Sequence, residues 1–130
     1  MTVRGVGPVL AGWRVLVVED EWLIAAEIGR VLEGAGAVVL GPAHSVEQAL
    51  ALLRDGAAPD AALLDVNLRG EAVTPVALAL AGRGVPFALV TAYAAGDIGE
   101  PLLRGAPRVG KPFTAAGLVR AVARLPPKTD

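Results

Sequence analysis

Five side chains able to do chemistry stand at the ends of apolar runs: the Glu19-Asp20 pair, Asp65, Thr91 and Lys111. Three carboxylates held about 5 Å apart repel by roughly 3 kcal/mol per pair at an effective dielectric of about 20. Such a group needs positive charge beside it. Lys111 supplies one unit, and a hard divalent cation with oxygen ligands supplies the rest; magnesium typically combines one or two carboxylates with water and phosphate oxygens. The same set suits phosphoryl transfer. A cation neutralises charge on the moving group, an ammonium holds a second oxygen and a hydroxyl donates to a third. Asp65, central in the set, is the candidate nucleophile.

These residues are far apart in the chain, so the fold must bring them together. Four apolar runs, at residues 15–18, 37–40, 61–64 and 87–90, lack polar alternation and read as strands buried on both faces. A weaker fifth strand at residues 108–110 is closed by Lys111-Pro112. Between the runs lie helical patterns. Ile24, Ile28, Val31, Leu32 and Ala35 repeat at helical spacing, which predicts a helix over residues 21–33 with Gly34 or Gly36 as its stop. Ser45-Val46-Glu47-Gln48 reads as a capping box opening a second helix, with Ala49, Leu50 and Leu53 on the face of Val46. A third helix is expected at residues 74–81, with Pro75 in its first turn and Val76, Ala77 and Leu80 facing inward. The last runs from a Thr114 cap through Leu118, Val119, Val122 and Leu125 to Pro126-Pro127. Gly96, Gly99 and Pro101 keep any helix between residues 92 and 105 short or irregular.

Strands alternating with helices call for a parallel sheet covered on both faces, joined by right-handed crossovers. Ligands of such sheets bind beyond the carboxyl ends of the strands, where all five residues stand. The 130-residue length suits one domain, and 54% hydrophobic residues are enough for a core and exclude disorder. A net charge of −1 gives no broad basic surface, so nucleic acid is not an expected partner. Without cysteine there is no disulfide, thiolate zinc site or cysteine nucleophile, and a cytoplasmic location is expected. The first 13 residues, broken by Gly5, Gly7, Pro8 and Gly12, make a poor signal peptide, and no apolar run is long enough to span a membrane.

Taken together, the residues from Arg14 to Leu125 resemble the receiver domains of two-component response regulators. Val17-Val18-Glu19-Asp20-Glu21 is similar to the family's acidic cluster and Leu63-Leu64-Asp65-Val66-Asn67-Leu68 to its phosphoacceptor segment. Thr91 matches its hydroxyl residue, and Lys111-Pro112-Phe113 its lysine followed by a cis proline. The resemblance implies a flavodoxin-like, doubly wound (βα)5 fold with sheet order 2-1-3-4-5. It implies that Asp20 and Asp65 ligate magnesium, that Glu19 does so directly or through water, and that the backbone carbonyl of Asn67 completes the protein's share. Asp65 would accept a phosphoryl group from a sensor histidine kinase. Thr91 would then swing toward it, altering a partner-binding face made by the last two strands and the last helix. Beyond catalysing its own phosphorylation and dephosphorylation, such a domain is not an enzyme.

Residues 1–13 would then be an N-terminal extension, 14–125 the receiver and 126–130 a tail, leaving no room for an output domain. The signal is expected to leave by contact with a downstream protein, from a monomer or weak dimer, unless the domain acts as a phosphate sink. Arg108 stands where the family usually has Tyr or Phe as a switch partner for the threonine. Pro86-Phe87-Ala88-Leu89-Val90-Thr91-Ala92-Tyr93 is similar to stand-alone alphaproteobacterial receivers with a Phe-Ala-Thr-Gly-type motif, with Ala92 in place of the glycine. Tyr93 is either a substitute for that aromatic or an exposed loop residue, and Trp22 either a packing residue or a contact to the site or a partner. His44, the one histidine, reads as a solvated loop residue, Glu21 as a helix-start charge and Arg108 as a solvated charge. Two rival readings are a receiver-like scaffold that works without phosphorylation and a phosphatase of the haloacid dehalogenase type with Asp65 as nucleophile.

Overall fold

The computed structural model describes residues 8–68, 70–92 and 101–129. In chain order the elements are β1 (Arg14–Val18), α1 (Trp22–Gly34), β2 (Val38–Ala43), α2 (Val46–Arg54), β3 (Ala61–Asp65), β4 (Asn67–Leu68), β5 (Glu71–Ala72), α3 (Thr74–Gly82), β6 (Phe87–Thr91), α4 (Pro101–Arg104), β7 (Arg108–Gly110) and α5 (Ala115–Ala123). Five strands form one sheet in the order β2-β1-β3-β6-β7, every neighbouring pair parallel. Numbered among themselves, these strands run 2-1-3-4-5, the flavodoxin-like order expected. The helix before β7 is four residues long, and the residues from 93 to 100, Tyr93 among them, lie outside the described residues.

The pleat divides the interior into two packed layers, because successive strand residues point to opposite faces. Leu16, Val18, Ala62, Leu64 and Leu89 pack with Val46, Ala49 and Leu53 of α2 and Val76, Ala77 and Leu80 of α3. Val15, Val17, Ala61, Leu63, Ala88 and Val90 pack on the other face with Ile28 and Leu32 of α1 and Leu118 and Val122 of α5. Leu10 belongs to this second layer, fully buried, and its backbone N–H donates to Ala35 at 2.8 Å, so packed structure begins before Arg14.

One expectation needs correction. The run at β2 is not buried on both faces: β2 is largely exposed or half-buried. The expected fifth strand, β7, is half-buried along its length. Both are edge strands, with one side lacking a neighbour; a run of apolar residues shows a strand but not its place in the sheet. The antiparallel β4–β5 pair was not expected at all, being two residues per strand and too short for any period to show.

β2 reaches the site through an irregularity. Leu16 pairs with Leu40 but Val18 pairs with Ala43, so β2 carries one extra residue at Gly41-Pro42. Gly41 has φ +91, and a Cβ there would sit 2.6 Å from the Ala43 nitrogen and 3.1 Å from the Val17 oxygen. Both neighbours are backbone, which cannot swing aside. Gly41→Ala is therefore expected to cost about 2 kcal/mol or more, from left-handed strain plus the clash. Urea denaturation checks this, and an unchanged midpoint would show that the bulge does not need glycine.

Candidate functional site

Register alone brings the distant residues to one rim. Val18 pairs with Leu64, so Glu19 and Asp65 follow side by side. Asp65 pairs with Val90, and Thr91 pairs with Gly110, so Thr91 and Lys111 extend the same edge. The Lys111 N–H donates to the Thr91 carbonyl at 3.0 Å, and the Lys111-Pro112 bond is cis as expected. Glu19, Asp20, Asp65 and Thr91 are the buried polar residues among those described, against an otherwise apolar interior. Asn67 lies two residues past Asp65, on β4, with its backbone paired to Ala72.

Each of Glu19, Asp20 and Asp65 offers a carboxylate oxygen, and the three oxygens lie within 4.8 Å of one another. Lys111 Nζ reaches between two of them, 3.0 Å from Glu19 Oε1 and 3.3 Å from Asp65 Oδ2. Glu19 Oε2 accepts from the Glu21 N–H at 3.2 Å. Glu19 Oε1 is buried, and its ion pair with Lys111 lacks hydrogen-bond geometry, so it has no hydrogen-bond partner among the described residues. Burial pushes the Glu19 carboxyl up to about 7, and the neighbouring Asp65 adds to the rise against the pull of Lys111 and the Glu21 N–H. Burial opposes the charge on Lys111, but Glu19 and Asp65 outweigh it and its pKa is raised.

With all groups ionised, three carboxylates against one ammonium leave two net negative charges. Hard oxygen donors, a charge of that size and a buried carboxylate oxygen short of a hydrogen bond together fit a divalent cation of the magnesium class. The sign of the pH dependence follows from Glu19. Its folded pKa lies above the unfolded value of 4.5, so its contribution to metal-free stability is present below about 4.5 and is lost as pH rises to about 7. A cation needs the ionised carboxylate. Millimolar magnesium is therefore expected to raise the melting temperature, and by more at about pH 8 than at about pH 6. Equal gains at both pH values, measured by scanning calorimetry, would remove Glu19 from the metal's surroundings.

Known proteins bear on this geometry. SdrG from Sphingomonas melonis Fr1 is 43% identical with a TM-score of 0.72, over 85% of this chain and 92% of that one. The response regulator REC domain of Erythrobacter litoralis PhyR is 26% identical with a TM-score of 0.72, over 86% and 88% of the two chains. The response regulator PhyR from Brucella abortus is 30% identical with a TM-score of 0.69, over 85% of this chain. This chain belongs to the response-regulator receiver family. The receiver spans 46% of the Brucella abortus PhyR chain, about half its length. No family model matches the receiver's sequence, and no curated protein does.

Two of the receiver's residues differ from their sequence reading. His44 is half-buried: its Nδ1 lies 2.9 Å from the Glu19 carbonyl oxygen, and its ring stacks on Trp22 with centroids 4.1 Å apart. Ser45 Oγ accepts from the Gln48 N–H at 3.1 Å as expected, but the Gln48 side chain accepts from the His44 N–H at 2.8 Å, one residue before the cap. Trp22 is 70% exposed despite that stacking. Arg108, in the position of the family's aromatic, is half-buried on β7 opposite Leu89.

Proposed function

We propose that this receiver accepts a phosphoryl group from a sensor histidine kinase onto Asp65, within a magnesium-dependent pocket. The observation that carries the reading is the single ammonium of Lys111 set between Glu19 and Asp65 at the carboxyl edge of the sheet, beside Asp20. An Asp65 oxygen attacks phosphorus, the bond from phosphorus to the kinase histidine nitrogen breaks, and an acyl phosphate forms. Glu19, Asp20, Asp65 and the Asn67 backbone carbonyl would hold magnesium, whose charge offsets that of the phosphoryl oxygens when it is bound. Lys111 holds another phosphoryl oxygen, and Thr91, at the end of β6, donates its hydroxyl to a third.

In this reading residues 14–125 make up the receiver unit, and the partner face is β6, β7 and α5. Engagement of Thr91 pulls on the segment that follows β6 and biases that face between two arrangements. The output is contact with a downstream protein or drainage of phosphoryl groups from the kinase; PhyR from Bartonella quintana bears the name anti-anti-sigma factor, an output of the first kind. Asp65 ends the third strand of the chain rather than the first, which gives the dehalogenase-type reading no geometric support. The test is incubation with a small phosphodonor, with and without magnesium, read by intact mass. One added phosphoryl group in the presence of magnesium is expected. No gain from the phosphodonor or from a phosphorylated histidine kinase would leave the scaffold reading in its place.

A further inference from the structure

Within the acidic turn the Glu21 N–H donates to Glu19 Oε2 at 3.2 Å. α1 begins at Trp22 directly after Asp20 and Glu21, and its N-cap, Glu21, makes no side-chain capping bond. Mutual repulsion of the carboxylates favours moving Glu19 and Asp20 away from Asp65. His44 grips the turn's backbone from outside. The Glu19 carbonyl can only accept, so His44 Nδ1 carries the proton and donates to it at 2.9 Å. The same ring stacks on Trp22, three residues further along, so one side chain brackets both ends of the segment bearing Asp20. His44 is itself fixed: its N–H donates to Gln48 Oε1, and Ala43 beside it accepts from the Glu19 N–H at 2.9 Å.

We infer that His44 is a positioning residue for the acidic pair, holding the turn between β1 and α1 where Glu19 and Asp20 meet Asp65, so that cation affinity depends on a ring that bonds a main-chain carbonyl rather than either carboxylate. The inference rests on the reading of the cluster as a magnesium site. Partners that orient metal ligands typically alter affinity 10- to 100-fold, about the range expected here. A role in packing alone would change melting temperature and leave affinity alone.

The experiment is calorimetric titration of magnesium into the full chain as wild type, His44→Ala and His44→Asn. Asparagine can place an amide N–H where Nδ1 stands. His44→Ala is expected to weaken magnesium about tenfold or more, and His44→Asn to recover most of the loss. Equal affinity in wild type and His44→Ala, or a loss that asparagine does not reduce, overturns the inference. A comparison of His44→Asn with His44→Leu carries the same test should the alanine variant not fold. A wild type that binds no magnesium overturns the site reading along with it, whereas binding that is indifferent to His44 overturns this inference alone.

Discussion

Asp65→Asn is expected to abolish phosphoryl uptake while making the metal-free protein more stable. The two effects have one origin. Asp65 is buried beside Glu19 and Asp20, and Lys111, set between it and Glu19, offsets part of their charge. Neutralising it removes two repulsions of roughly 3 kcal/mol each and one attraction to Lys111 of roughly 5 kcal/mol at the shorter 3.3 Å separation, at an effective dielectric of about 20. Partial cancellation leaves a net gain on the order of 1–2 kcal/mol, or several degrees in melting temperature for a domain of this size. An amide has no anionic oxygen to attack phosphorus, so the mass gain from a phosphodonor disappears entirely. Intact mass and scanning calorimetry without metal measure both. A phosphorylated Asp65→Asn protein would move the acceptor elsewhere, and an unchanged melting temperature would mean the carboxylates are not crowded as described.

Lys111→Met should produce the opposite change in stability with the same failure of chemistry. Removing the ammonium leaves Glu19 and Asp65 buried without their shared counter-charge. Breaking a buried pair from one side costs about 3–5 kcal/mol when burial is complete. Lys111 is 18% exposed, and Glu19 can take up a proton, so about 1–3 kcal/mol is the expected loss near pH 8, less near pH 6. Phosphoryl uptake should slow by about 100-fold or more, the usual result of deleting one group that stabilises oxygen charge in a transition state. Arginine at the same position would not substitute, since a planar fork cannot sit as a point charge between two carboxylates. Initial rates of mass gain at saturating magnesium decide the matter: a Lys111→Met variant as fast as wild type would remove Lys111 from the chemistry.

Most of the sheet is legible in the sequence because its three central strands have no solvent face. Residues 61–64 and 87–90 show unbroken apolar runs since helices cover both sides, and the first polar residue after each run marks the rim. That is why Glu19, Asp65 and Thr91 stand out before any coordinates. The edge position of β2 is not legible in the same way. Val38–Ala43 looks as apolar as a central strand, and only pairing shows that one side has no neighbour. His44 escapes for a different reason: its partner carbonyl lies 25 residues earlier in the chain, and a bond to main chain places no demand on side-chain type at position 19. The bulge at Gly41 delivers His44 to that carbonyl, and a bulge depends on pairing register, which no local pattern carries.

The division of the interior by the pleat has a consequence for how the chain tolerates change. Leu16 and Val17 are adjacent in sequence, yet one is packed with α2 and α3 and the other with α1 and α5. Their losses on truncation should come closer to summing than those of two residues in one layer, because they belong to separate packed clusters. Neighbours on one face, such as Leu16 and Leu64, share a layer and should not sum. The helices beneath one side can thus diversify without renegotiating the other, while the backbone between them keeps the carboxylate rim in register.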